Sequence, residues 1–175
     1  MRTVIDAVNR LVKDERPIEE ILREHNIKGD YWADSCPIAT YIYSETQRGV
    51  WVYNDYICLL NDGSVVCPDE IRDFVEDFDA GCFIDLALPT DLESAVCRLE
   101  LGEVRQRISN SGITGVRNSD ADNVLARYLS AVTNITVVID GYTARLVDGY
   151  CVELTYDIIE FLRNFNAGRY PDLED

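Results

Sequence analysis

Apolar residues open each half of the chain at helical spacing: Val4, Ala7, Val8 and Leu11 near the start, Leu92, Ala95, Val96 and Leu99 further on. Positions three and four apart share one face of an α-helix, so both stretches predict an amphipathic helix. These helices are expected to begin at Thr3 and at Thr90, the latter with Glu93 placed for a capping box. A second short helix is expected over Pro17 to Glu24 and over Val104 to Ser109. A third follows a glycine-containing loop, with Ser35 as its cap and Pro37 tolerated in the first turn. It would turn Ile38, Tyr41 and Ile42 inward, as Leu125, Tyr128 and Leu129 would in the second half.

The pattern then becomes extended. Val50-Trp51-Val52-Tyr53 and Val137-Val138-Ile139 are β-branched or aromatic, followed by turns at Asn54-Asp55 and Asp140-Gly141, then at Asp62-Gly63 and Asp148-Gly149. Two hairpin signals in a row predict an antiparallel meander of three strands. A last helix carries Ile71, Phe74, Val75 and Phe78, or Ile158, Phe161, Leu162 and Phe165, with Gly81 and Gly168 where a left-handed C-cap is wanted.

The two halves are therefore copies of one unit. Ile71-Arg72-Asp73-Phe74, Phe78-Asp79-Ala80-Gly81 and Asp85-Leu86 lie over Ile158-Ile159-Glu160-Phe161, Phe165-Asn166-Ala167-Gly168 and Asp172-Leu173 at a constant offset of 87 (Ala80 to Ala167). Ala39 and Tyr41 match Ala126 and Tyr128 at the same offset, while Ile27 and Gly29 match Ile113 and Gly115 at 86. The predicted fold is α+β, a tandem duplication of helices packed on a three-stranded antiparallel meander, in the order ααα-βββ-α twice. Repeat unit 1 is expected over 1–88 and repeat unit 2 over 89–175. The link Ala87-Leu88-Pro89 is too short to let the units separate, so one compact body with pseudo-two-fold symmetry is expected.

Charge narrows the partners. Sixteen basic residues against 32 acidic ones leave a net charge of −16. Such a chain is repelled by nucleic acid and by anionic membranes, so neither is expected as a direct partner. Basic protein surfaces are favoured, although acidity also serves simply to keep a protein dispersed. Of the acidic residues, 18 fall in 1–88 and 14 in 89–175, with eight basic residues in each half. No apolar run approaches a membrane span, and acid arrives too early at Asp6 for a secretory signal; a cytoplasmic protein, monomer or homodimer, is expected.

Candidate chemistry is sparse. The six cysteines form no CxxC pair, and Cys36, Cys67, Cys82, Cys97 and Cys151 align with Asn123, Leu154, Arg169, Asn9 and Ser64. A crosslink or metal site that the unit needed would have been inherited twice, so reduced and mostly buried thiols are expected. His25 is the sole imidazole, read as the end of a surface helix rather than a base. There is no Walker loop, dinucleotide fingerprint or calcium loop. Neither catalytic residues nor a cofactor nor a metal is expected; an enzyme would have to work with carboxylates alone.

Two features of the first half exceed what the shared fold requires. Asp69, Asp73, Glu76 and Asp77 recur along one face of the last helix, with Glu70 beside them, where the second half has Glu160, Arg163 and Asn164. Such a row is either a solvated surface or a line of negative charge that steers a basic partner in, in its sharpest form imitating a phosphate backbone. Trp32, Trp51 and Tyr53 cluster with Tyr31, whereas Val138 and Asp140 stand opposite Trp51 and Tyr53 in the second half. These aromatics either fill the seam between the copies or anchor a partner with an apolar surface.

The segment Cys36-Pro37-Ile38-Ala39-Thr40-Tyr41, the hairpins, and Phe74 through Phe78-Asp79-Ala80-Gly81 to Asp85-Leu86 resemble a small family of proteins encoded by actinobacteria and their phages. Members typically carry a Cys-Pro-Leu-Ala-like helix start and a Phe-Asp-Ala-Gly ending. The second half matches the ending at Phe165-Asn166-Ala167-Gly168 but lacks the Cys-Pro start. The resemblance implies a phage or mobile-element origin and carries no activity and no site residues; the partner expected from the charge is a host protein with a basic surface.

Overall fold

A computed structural model describes residues 3–59, 63–100 and 103–175. The chain divides into two units: Met1–Asp79 with Asp85–Leu88, and Ala80–Ile84 with Pro89–Asp175.

Unit 1 runs α1 (Val4–Lys13), α2 (Ile18–Glu24), α3 (Pro37–Thr46), β1 (Val50–Val52), β2 (Tyr56–Leu59), β3 (Gly63–Val66) and α4 (Asp69–Asp79). Unit 2 repeats the order with α5 (Leu92–Glu100), α6 (Val104–Asn110), α7 (Val124–Thr133), β4 (Val137–Asp140), β5 (Thr143–Leu146), β6 (Cys151–Glu153) and α8 (Tyr156–Asn166). Each sheet is an antiparallel meander, β1-β2-β3 and β4-β5-β6. The α+β architecture, ααα-βββ-α twice, is as the apolar pattern predicts.

The helices form because their apolar stripes have one face to bury. Val4, Ala7, Val8 and Leu11 of α1 are buried, as are Leu92, Ala95, Val96 and Leu99 of α5. Both strand sets bury one alternating face, Val50, Val52 and Ile57 in unit 1 and Val137, Ile139 and Ala144 in unit 2. The closing helices insert Phe74 and Phe78, or Phe161 and Phe165, into these cores. Past them Gly81 (φ 90°) and Gly168 (φ 72°) take the left-handed conformation expected of the C-caps.

Glycine has a second use, at a chain crossing. Gly29 bridges to Ala87 and Gly115 to Glu174, each in parallel, so the tail of each unit lies beside the loop before its third helix. Gly29 N–H donates to the Leu86 carbonyl at 3.0 Å, and Gly115 N–H to that of Leu173 at 2.9 Å. Each tail carries a matching aspartate that is tied to the second helix. Asp85 accepts from Arg23 and Asp172 from Arg105, arginines from different turns of α2 and α6.

Local chemistry departs from expectation at several ends. Thr3 caps α1 in a capping box with Asp6. In α5, however, the first-turn N–H of Ser94 bonds to Asp91 Oδ1 at 2.8 Å, so Asp91 rather than Thr90 with Glu93 is the cap; the Thr90 N–H is engaged by the Val132 carbonyl. At α3 the cap is Cys36, not Ser35: Cys36 Sγ accepts from Ala39 N–H at 3.5 Å while Ser35 Oγ turns to Asp30. Pairing of Asp140 with Thr143 puts the first turn of unit 2 at Gly141-Tyr142, one residue beyond Asp140-Gly141. The second turn of unit 1, expected at Asp62-Gly63, lies outside the described residues except for Gly63.

Candidate interaction surface

The outer face of the first sheet gathers side chains that the buried face excludes. Because Val50 and Val52 point inward, Trp51 points outward, and the register sets it opposite Cys58, which faces Ser64. Tyr56 stands opposite Val66 on the same face. Tyr53, one residue past β1, donates its N–H to the Tyr56 carbonyl and packs its ring on Tyr56, with centroids 5.0 Å apart and tilted by 39°. Trp51 is half-buried, Tyr53 and Tyr56 are each 42% exposed, and Val66 is 82% exposed. Tyr56 and Val66 are absent from the residues singled out by sequence. Their place follows only once the two-residue turn at Asn54-Asp55 sets the register.

Trp32 is carried by another element. It lies in the loop before α3 and is 69% exposed; the neighbouring Ala33 carbonyl accepts from Val52 N–H at 2.7 Å and so ties that loop to the edge of β1. Tyr31 stacks on Phe78 at 4.8 Å.

Asp69, Glu70, Asp73, Glu76 and Asp77 are all exposed on α4, opposite buried Ile71, Phe74, Val75 and Phe78. The row is not uniform. Asp69 pairs with Arg72, whose Nε also donates to the Asn54 carbonyl at 3.1 Å. Among the described residues no cation pairs with Glu70, Asp73, Glu76 or Asp77. Arg72 thereby joins the start of the row to the turn between Tyr53 and Tyr56. Asp55 lies in the same turn, its carbonyl accepting from Cys67 N–H at 3.1 Å. Burial first, then the charges of Asp55 and Asp69, push the Cys67 thiol up against the opposing pull of Arg72.

The corresponding positions of unit 2 are a solvated sheet face. Asp140 pairs with Arg145 at 2.8 Å across the strands, and Glu153 stands where Val66 stands in unit 1. Of the exposed tyrosines of unit 2, Tyr142 and Tyr150 sit in its turns and Tyr156 opens α8; Arg163 rests 6.0 Å from the Tyr142 ring centre. Unit 2 also has an open cleft of about 490 Å³ between α6 and α8, lined by Glu103, Arg105, Asp157, Glu160, Phe161 and Tyr170. Arg105 is committed there to Asp172 and to the face of Tyr170, 5.2 Å away.

The thiols are dispersed. Cys36 and Cys67 are buried, Cys58 and Cys82 half-buried, and Cys97 and Cys151 exposed, so the expectation of mostly buried cysteines is corrected. Cys97 and Cys151 fall on the solvent side of a helix and of an outer strand, positions the apolar pattern leaves to polar residues. Burial raises the Cys36 thiol to about 11 despite its backbone donors. Iodoacetamide at neutral pH is therefore expected to modify Cys97 and Cys151 first and Cys36 last, read by peptide mass spectrometry; early labelling of Cys36 would contradict this placement. His25 ends α2, its Nδ1 2.8 Å from the Ile21 carbonyl and its ring edge-on to Tyr41.

Among the described residues no group of three or more His, Cys, Asp or Glu side chains converges to hold a metal ion, and no helix is long and apolar enough to cross a membrane. Comparison of the chain with protein-family models, curated proteins and solved structures finds no match.

Proposed function

We propose that the chain is a non-catalytic binding protein that captures a basic protein through unit 1, in the sharpest form by imitating the charge of a DNA strand. The observation that carries this reading is the exposed row on α4. That helix holds six carboxylates and one arginine, whereas α8, its copy, holds two carboxylates and one arginine. An eleven-residue helix is about 16 Å long. One DNA strand presents about five charges over that length. The net charge of α4 matches this density, so a groove that binds a phosphate backbone meets similar potential here. The resemblance to actinobacterial and phage proteins supports a mobile-element setting with a host protein as the target.

The test replaces Asp69, Glu70, Asp73, Glu76 and Asp77 by their amides and compares capture of host proteins from lysate with wild type. All five side chains are exposed, so the fold should tolerate the change. The expected result is a loss of affinity of about a hundredfold for the captured partner. That partner should also be released by added salt and by duplex DNA. A partner retained unchanged by the neutralised protein would overturn the reading.

The apolar outer face of the first sheet favours a second reading, a partner held through Trp51, Tyr53 and their neighbours. Salt separates the two, since an interface dominated by aromatic burial weakens little as ionic strength rises.

A further inference from the structure

The second unit sets arginine over tyrosine twice, once on an exposed ring and once on a partly buried one. In unit 2 Arg163 reaches from α8 to the turn after β4 and rests over Tyr142, and Arg105 rests over Tyr170. In unit 1 the position matching Arg163 is Glu76. Arg72, the arginine that does reach the turn after β1, is held by the Asn54 carbonyl and by Asp69. Among the described residues no guanidinium lies on the Tyr53–Tyr56 pair. A carboxylate borders it instead, Asp55 in the turn between the two tyrosines.

We propose that the outer sheet face carrying Trp51, Tyr53 and Tyr56 docks an arginine-bearing segment of a partner protein. The guanidinium stacks on the two tyrosines and is balanced by Asp55, in the turn between them. This rests on the proposed basic partner and names the chemistry by which it is read. Arginine is favoured over lysine because its planar, weakly hydrated cation stacks on a ring while donating in plane to carboxylates. An uncharged apolar partner would desolvate the bordering carboxylate without replacing its water. A second copy of a chain with net charge −16 would bring like charge to the same place.

Both tryptophans of the chain, Trp32 and Trp51, lie in unit 1, so fluorescence reports on this region. The full chain is titrated with a capped oligo-arginine peptide and an oligo-lysine peptide of equal length. The arginine peptide is expected to bind about tenfold more tightly. That preference should vanish in Tyr53→Ala/Tyr56→Ala and persist in Tyr53→Phe/Tyr56→Phe, which keeps the rings. The peptide comparison on the wild type stands even if the alanine variant fails to fold. Equal, salt-sensitive binding of both peptides would overturn this inference and leave the acidic reading of α4 standing. A clear arginine preference that survives amide replacement along α4 and added salt would support the face and sink the reading of the row. Binding of neither peptide would overturn both.

Discussion

Replacing Gly29 or Gly115 by alanine is expected to destabilise the affected unit by on the order of 3 kcal/mol or more. A Cβ on Gly29 would stand 2.3 Å from Pro37 N and 2.4 Å from the Cys36 carbonyl carbon; on Gly115 it would stand 2.3 Å from Val124 N. These neighbours are backbone at the start of α3 and α7, so no rotamer change relieves the clash. Relief would have to move the loop off the helix, breaking the bridges to Ala87 and Glu174 and the hydrogen bonds that hold each unit's tail. Gly141→Ala is the control. It has φ 61° and nothing within 4 Å of the added carbon, so only the left-handed backbone opposes it, at about 1–2 kcal/mol. Urea unfolding of the three variants checks the order. A Gly29→Ala midpoint no lower than that of Gly141→Ala would show that the loop yields where the packing says it should not.

Both glycines were visible in the sequence as a match between the halves, but their purpose was not. Self-similarity records that a position is shared, whereas the reason for sharing it combines a close approach to a nearby helix start with a bridge to a tail more than fifty positions away. The elements themselves were legible because periods of 3.6 and 2 are local. Their ends were less so, since capping depends on which side chain the loop aims at the first turn. Asp91 and Cys36 therefore took places that Thr90 and Ser35 could equally have filled on composition. For the surface, the acidic row could be read from helical spacing alone, but its tie to the sheet through Arg72 could not. Trp51 and Tyr53 were picked out by contrast with Val138 and Asp140. Tyr56 and Val66 joined them only through register, and the loop that carries Trp32 is tied to β1 through the Ala33 carbonyl.

Asn123→Ala is expected to cost about 3 kcal/mol, more than Cys36→Ala at the matching place. The Asn123 side chain is buried and serves both directions of a crowded junction. Its Oδ1 accepts from Ala126 N–H at 2.8 Å, and its Nδ2 donates to the carbonyls of Ser119 at 2.7 Å and Asp120 at 3.1 Å. Alanine would strand a buried donor at the start of α7 and remove a donor from the loop before it. Cys36 Sγ accepts only weakly from first-turn N–H groups, Ala39 among them at 3.5 Å, and in unit 1 the Trp32 carbonyl already accepts from the N–H groups of Ser35 and Cys36. The exchange should therefore be lopsided. Asn123→Cys should lose most of what Asn123→Ala loses, because a thiol has no second donor to give. Cys36→Asn should gain a better acceptor for Ala39 N–H but no further carbonyl, leaving stability within about 1 kcal/mol of wild type. Equilibrium unfolding of the two swaps measures the difference. If Asn123→Cys proves as mild as Cys36→Asn, the carbonyl bonds of Asn123 contribute little, and the two junctions are energetically alike despite their different chemistry.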